Sequence, residues 1–268
     1  IKKGIADAVR ISRRISNAQA APKDTFRILL YHAVGAAEQD DRLGLRIAPE
    51  VFARQMSCIR EEGYHVYPLT TLLEALAGKK ELPAKAIALT FDDGYRENLE
   101  FVLAQLRQYA YKAIFFVTAG SIGRSPLATK ERYWERWKLV DAVDLKMIAD
   151  EGHGIGSHTL THCDLRTLPP DRLKNELSCS RKILEDTVRA PIEVLSYPHG
   201  RFNASIMRAA ADAGYRGACC SLYGRNGFST APLALRRTTI SAGDGIDEFR
   251  KKLEGCYDWM GIKALWTR

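Results

Sequence analysis

Ala86-Ile87-Ala88-Leu89-Thr90-Phe91-Asp92-Asp93-Gly94 is the stretch on which the reading of this chain turns. Its unbroken apolar start predicts a strand buried on both faces, as in the parallel sheet of an α/β protein. That strand delivers two adjacent carboxylates to a glycine turn. Neighbouring carboxylates repel, so folding alone has no use for the pair, and it persists where a cation or a proton-transfer task offsets the repulsion. Downstream, Ser157-His158-Thr159-Leu160-Thr161-His162 offers two imidazoles four residues apart, a spacing that lets both face one ion. One carboxylate and two histidines make a candidate metal site, and the second carboxylate is left free to act as a base.

Working outward, β-rich runs alternate with helical patterns. Strands are predicted over Arg27–His32, His65–Leu69, Ala86–Phe91, Lys112–Thr118, Gly154–His158, Val194–Tyr197, Tyr215–Ser221 and Leu235–Ile240. Helices are predicted over Pro49–Glu62, Thr70–Ala77, Arg96–Tyr109, Asp144–Glu151, Pro170–Arg189, Asn203–Ala213 and Asp247–Trp259. Alternation of this kind implies parallel strands with crossover helices. Seven or eight such units predict an irregular, closed (β/α) barrel, with an open doubly wound sheet as the alternative. No glycine-rich phosphate loop follows an early strand, which weakens that alternative. His32, Asp92, Asp93, His158 and His199 all fall at or just beyond the C-terminal end of a predicted strand, the face where such barrels carry their chemistry. The remaining histidines, His65 and His153, are read as structural. Ser121–Trp137, with Tyr133, Trp134 and Trp137, interrupts the pattern. It reads either as a loop whose aromatics stack on sugar rings or as packing against the barrel side.

With 268 residues, the chain is long enough for one catalytic barrel over 23–268, preceded by a basic extension over 1–22. A hydrophobic content of 46% with 27% charged residues is that of an ordinary globular domain, which argues against extensive disorder. The net charge of +8 favours anionic surroundings such as acidic glycans or lipid head groups, or serves solubility alone. No nucleic-acid recognition motif is present, and nucleic acid is not expected as a partner. Six cysteines, without CxxC pairs, read as mostly buried thiols, and Cys219-Cys220 are expected to point one inward and one outward. No apolar stretch approaches the roughly 20 residues that span a bilayer. In the extension, Lys2, Lys3, Arg10, Arg13 and Arg14 are interleaved with Ile1, Ile5, Val9, Ile11 and Ile15. That pattern fits an ordinary helix packed on the domain, or a basic amphipathic helix in peripheral contact with a membrane. The sequence begins at Ile1, and an upstream signal or anchor is left open. An extracytoplasmic or membrane-associated location is favoured over a cytoplasmic one.

Thr-Phe-Asp-Asp-Gly at 90–94 and Ser-His-Thr-Leu-Thr-His at 157–162 resemble the first two signature motifs of the polysaccharide deacetylases, the NodB-homology group of carbohydrate esterases. The resemblance extends over roughly residues 26–242. It implies a distorted (β/α)7-type barrel and metal-dependent removal of N- or O-acetyl groups from glycans. By the same resemblance Asp92 is the general base, and Asp93, His158 and His162 bind a divalent ion, usually Zn2+. Many relatives carry a third motif, Arg-x-Pro-Tyr followed by Gly. Here Leu195-Ser196-Tyr197-Pro198-His199-Gly200 aligns on Pro198 and Gly200, with Ser196 replacing the arginine and His199 the tyrosine. Tyr197, Pro198 and His199 are thereby candidates for the oxyanion and substrate side, the N–H of residue 199 in particular. Arg236 or Arg237 is a candidate to replace the missing arginine from another strand.

Relatives commonly end with Leu-x-His, whose histidine is the general acid, yet no histidine follows His199 here. Leu30-Tyr31-His32 has that form on the first strand, which a closed barrel places beside the last. This permuted order is similar to that of the biofilm poly-N-acetylglucosamine deacetylases and makes His32 the candidate acid. No counterpart of the Asp-x-x-Asp-Trp motif that orients the acid in some relatives is present. The expectation is therefore a metal-dependent hydrolase acting on N-acetylhexosamine units of a polysaccharide or glycan. A non-catalytic carbohydrate-binding protein on the same barrel and an amidase on another acylated substrate stay open.

Overall fold

The computed structural model describes residues 2–15, 23–36, 41, 43–123 and 137–261. In chain order the elements are α1 (Lys2–Ile15), β1 (Phe26–Tyr31), β2 (Ala33–Val34), β3 (Arg46–Ile47), α2 (Pro49–Glu61), β4 (His65–Val66), α3 (Leu69–Leu76) and β5 (Ala86–Phe91). There follow α4 (Asn98–Tyr109), β6 (Ala113–Val117), α5 (Ala142–Asp150), β7 (Gly154–Ser157), α6 (Pro170–Val188), β8 (Val194–Ser196), α7 (Ala204–Asp212), β9 (Gly217–Cys219), β10 (Thr238–Thr239) and α8 (Ile246–Glu254).

The main sheet is parallel and runs β10-β1-β5-β6-β7-β8-β9, with β4 beside the first residues of β5. Its ends meet through one segment: Leu235 bridges Cys219 in parallel, and Thr238 pairs with Leu29. The result is the distorted (β/α)7-type barrel. The doubly wound alternative fails because the strand order never reverses at a switch point.

Side chains alternate across the two faces of each strand, and both faces are buried. The outward set, including Leu29, Tyr31, Leu89, Phe91, Phe115 and Leu195, packs on the surrounding helices. The inward set, including Phe26, Ile28, Ala86, Ala88, Phe116 and Cys219, is plugged by Leu69, Leu72 and Leu73 of α3. Continuing each inward series toward the strand ends gives His32 after Phe26 and Ile28, Asp92 after Ala88 and Thr90, and Ser196 after Val194. The lower barrel is thus apolar and the upper barrel polar. Cys219 and Cys220 do alternate, but both are fully buried, because each face of the strand has its own core. This corrects the expectation of one outward thiol.

Several elements are shorter than the sequence pattern predicts. The strand expected over His65–Leu69 makes its last ladder bond from Tyr67 N–H to the Ile87 carbonyl, because Pro68 has no N–H and precedes α3. The strand expected over Leu235–Ile240 shrinks to two residues, since the Arg237 N–H turns to the Leu222 carbonyl. The last helix ends at Glu254, where Gly255 takes a left-handed φ of 83°. Ahead of the barrel, α1 lies on α8. Ala6 is buried with Cys256 and Tyr257, and Arg10 pairs with Asp247 at 2.8 Å and Glu254 at 2.9 Å. No helix among the described residues is long and apolar enough to cross a membrane.

Candidate metal centre and active site

Parity alone would send Asp93 to the helix side of the sheet. Instead Asp93 and Gly94 take φ of 75° and 74°, and this left-handed turn brings the second carboxylate onto the active face. Asp93 Oδ1 lies 3.3 Å from His158 Nε2 and 3.4 Å from His162 Nε2. The three ligand atoms all fall within 4.8 Å of one another. Thr159, His162 and His199 also have positive φ, so the non-glycine strain of this end of the barrel gathers around one point. Each such residue costs about 1–3 kcal/mol and persists only where its surroundings enforce it.

The enforcing contacts are visible. The His158 Nδ1–H donates to the Ser196 carbonyl at 2.7 Å, which orients the ring and turns Nε2 toward Asp93. In the loop carrying His162, its backbone N–H donates to Thr159 Oγ1 at 3.2 Å. The buried Glu176 of α6 accepts the Leu160 and Thr161 N–H groups, each at 3.0 Å, and the Thr161 hydroxyl at 2.7 Å. Gly120 lets this loop approach β6: a Cβ there would sit 2.5 Å from the Leu160 carbonyl oxygen. Burial would raise the pKa of Asp93, but hydrogen bonds to His158 and His162 hold it well below the usual carboxylate range. For His158, burial pulls down while Asp92 and Asp93 prevail and raise it. Two imidazole nitrogens and one ionised carboxylate, with coordination positions left open, fit a divalent metal.

Asp92 has a different environment. Arg237 Nη1 donates to its Oδ1 and Nη2 to its Oδ2, both at 2.8 Å, in a bidentate pair that is almost wholly buried. Ser196 Oγ donates to Oδ2 at 2.9 Å and itself accepts from Arg237 Nη2 at 2.9 Å. Arg237 is anchored by Nε donating to the Cys220 carbonyl at 2.9 Å. Burial would raise the Asp92 pKa, and the guanidinium outweighs it, leaving the carboxylate ionised. Arg236 is directed elsewhere, its N–H donating to Asn226 Oδ1 at 2.8 Å and its side chain passing Gly224. Of the two candidates, Arg237 is the one that meets Asp92, and Ser196, standing where relatives have arginine, completes its contacts.

His32 ends the inward series of β1, and Asn98 clamps its corner, donating to the His32 carbonyl at 2.7 Å and accepting the Val34 N–H at 2.8 Å. Its Nδ1 is buried and has no hydrogen-bond partner among the described residues. Burial lowers its pKa, against the opposing pull of Asp93 and Asp92. The His199 ring stands edge-on to that of His162, with centroids 4.9 Å apart, on the turn Pro198–Gly200. Gly200 is required there, since a Cβ would lie 2.4 Å from Ser221 Oγ.

Tyr197 follows the outward parity of β8. Its hydroxyl donates to the Leu233 carbonyl at 2.9 Å and its ring stacks on Phe202, so its side chain belongs to the packing. Pro198 is buried and opens the turn that carries His199. Trp137 is also packed inside, 4.8 Å from the Tyr95 ring, rather than offered to a sugar, while Tyr133 and Trp134 lie outside the described residues. His65 and His153 lie at the opposite ends of their strands. Burial takes His153 down to about 4, and its Nδ1 accepts the Ala113 N–H. Sequence reasoning passed over Glu176 and Tyr95. Glu176 sits fourteen residues beyond His162 in a charged helix and offers no local signal.

The sequence profile described as "Polysaccharide deacetylase" matches residues 79–218. Among curated proteins, YxkH of Bacillus subtilis (strain 168) is 27% identical over 227 residues, covering 85% of this chain and 75% of that protein. The peptidoglycan-N-acetylglucosamine deacetylase of Bacillus cereus is 31% identical over 133 residues, covering 49% of this chain and 54% of that enzyme. The chain therefore spans about half the length of that second relative. Among solved structures, the Streptococcus pyogenes deacetylase PplD in complex with acetate superposes with a TM-score of 0.75 at 23% identity, covering 87% of this chain and 99% of that one. That likeness concerns the fold.

Proposed function

Because this chain belongs to the polysaccharide deacetylase family, we propose that it is a metal-dependent hydrolase removing N-acetyl groups from N-acetylhexosamine units of a polysaccharide or glycan. The observation that carries this reading is the division of the carboxylate pair: Asp93 faces two histidines, while Asp92 is locked and ionised by Arg237. Asp93, His158 and His162 would hold the ion, and we take Zn2+ as the expected one because imidazole suits it. When bound, such an ion supplies Lewis acidity to the acetyl carbonyl and to the attacking water.

The chain's own groups account for the proton movements. Asp92 accepts the proton of the attacking water, and Arg237 and Ser196 hold its carboxylate in one orientation while it does so. The N–H of His199 is the donor assigned to the oxyanion that forms as the water oxygen bonds to the acetyl carbon. His32, as imidazolium, protonates the sugar nitrogen as the C–N bond breaks, because an amide anion is a very poor leaving group. Acetate and a free amino sugar result. The orphaned His32 Nδ1 supports an assignment in which that ring handles a proton rather than a structural hydrogen bond.

An extracytoplasmic or membrane-associated setting belongs to the same reading, since polymeric N-acetylated glycans are its substrates. A peripheral membrane contact rests on the outer face of α1, where Ile5 and Ile11 are exposed together with Lys2 and Lys3. The test is acetate release from N-acetylglucosamine oligomers, peptidoglycan and exopolysaccharide, with and without chelator. Release that the chelator abolishes and added metal restores is expected. No release from any substrate, or release indifferent to chelator, would overturn the reading.

A further inference from the structure

Asp93 has two oxygens, and they have different partners. Oδ1 lies 3.3 and 3.4 Å from the two Nε2 atoms, whereas Oδ2 accepts a hydrogen bond from the Tyr95 hydroxyl at 3.0 Å. We propose that Tyr95 is a positioning residue that ties Asp93 Oδ2 away from the ion, so that Asp93 serves as a one-oxygen ligand and the opposite side of the site stays open for water and the acetyl group. This rests on the metal reading of Asp93, His158 and His162 given above.

The phenol is well placed for the task because it is itself immobilised. Tyr95 is buried, and its backbone forms an antiparallel bridge to Leu139. The flanking Arg96 N–H donates to the Lys138 carbonyl at 2.9 Å, and the Val140 N–H donates to the Gly94 carbonyl at 3.0 Å. Its ring meets the buried Trp137 edge-on at 4.8 Å, and the Arg46 guanidinium covers Trp137 at 4.3 Å from the ring centroid. Arg46 is held in turn by Glu97, with Nη2 donating to Oε1 at 3.0 Å. A rigid donor two residues beyond a carboxylate in a left-handed turn fixes the torsion of that carboxylate. A carboxylate bound through both oxygens would occupy a coordination position that hydrolysis needs.

The experiment compares wild type with Tyr95→Phe, which keeps the ring and its contact with Trp137 while deleting the donor. Zn2+ affinity is measured by chelator competition, and the melting temperature is measured on the metal-free proteins. The expected result is a Zn2+ dissociation constant raised by about 10–100-fold, the usual effect of losing a partner of a metal ligand, with an unchanged metal-free melting temperature. At saturating Zn2+, the acetate-release kcat should fall while KM stays near its wild-type value. Equal Zn2+ affinity in the two proteins overturns the inference, and so does a melting temperature that falls along with the affinity. A wild-type protein that binds no Zn2+ overturns instead the metal reading on which the inference rests.

Discussion

The two halves of the site are built in opposite ways. Asp93, His158 and His162 come from two short, contiguous motifs and are presented by left-handed turns, with His162 partly open to solvent. Asp92 is held inside the barrel by Arg237, 145 residues away in sequence, with Ser196 from a third strand between them. A metal supplies its own strong organising force, so its ligands need only be brought near one another by turns and tied from behind. A buried base has no such help. Its charge must be compensated by a fixed cation, because leaving it unpaired costs several kcal/mol.

The largest effects should separate the halves outright. His158→Ala removes a proposed ligand that also hydrogen-bonds the Ser196 carbonyl, and it should reduce both bound metal and turnover to background. Asp92→Asn should lower turnover by about 10²–10⁴-fold while metal content, read by elemental analysis, stays near wild type. If Asp92→Asn retained most activity, the base assignment would be wrong. If it lost its metal, the two halves would be one unit.

Arg237→Met should act on stability as much as on catalysis. It leaves Asp92 buried without its cation, and a loss of about 3–5 kcal/mol is expected from chemical denaturation. The double variant Arg237→Met/Asp92→Asn should recover most of that loss, since it removes the stranded charge as well, although it will not recover activity. A single variant costing less than about 1 kcal/mol would mean that Asp92 takes up a proton or reaches water when its partner is gone.

This contrast also marks what could be read in advance. The barrel, the strand ends and the convergence of Asp93, His158 and His162 were legible because each rests on local pattern: apolar runs, alternation with helices, and two motifs of a few residues. Arg237 emerged only as one of two adjacent candidates, because nothing in a local window says which of Arg236 and Arg237 faces a carboxylate on another strand. Strand parity does carry a signal at Tyr197. Extending Val194 and Ser196 inward makes Tyr197 an outward residue, which explains why its hydroxyl meets the Leu233 carbonyl. Glu176 and Tyr95 were missed for a different reason. Glu176 holds the Leu160 and Thr161 N–H groups between the two histidines, Tyr95 holds the far oxygen of Asp93, and such contacts exist only once the turns at Asp93 and Thr159 have formed.

The smallest effect, and the one that probes the buried half most closely, is the pH dependence of kcat/KM. Asp92 must be unprotonated to act as a base. Burial raises its pKa but Arg237 and His158 bring it below the usual carboxylate value, so the acid limb should lie below about pH 4. His32 must be protonated to act as an acid. Burial lowers its pKa more than Asp93 and Asp92 raise it, so the alkaline limb should begin below the ordinary imidazole value of about 6.5. Above that limb, kcat/KM should fall about tenfold per pH unit, a modest change beside the loss of a ligand. His32→Gln should give a lower rate with the alkaline fall removed, because no proton remains to be lost from that position. An alkaline limb that survives His32→Gln unchanged would assign the acid elsewhere, and the permuted histidine on β1 would then be a structural residue at the end of its strand.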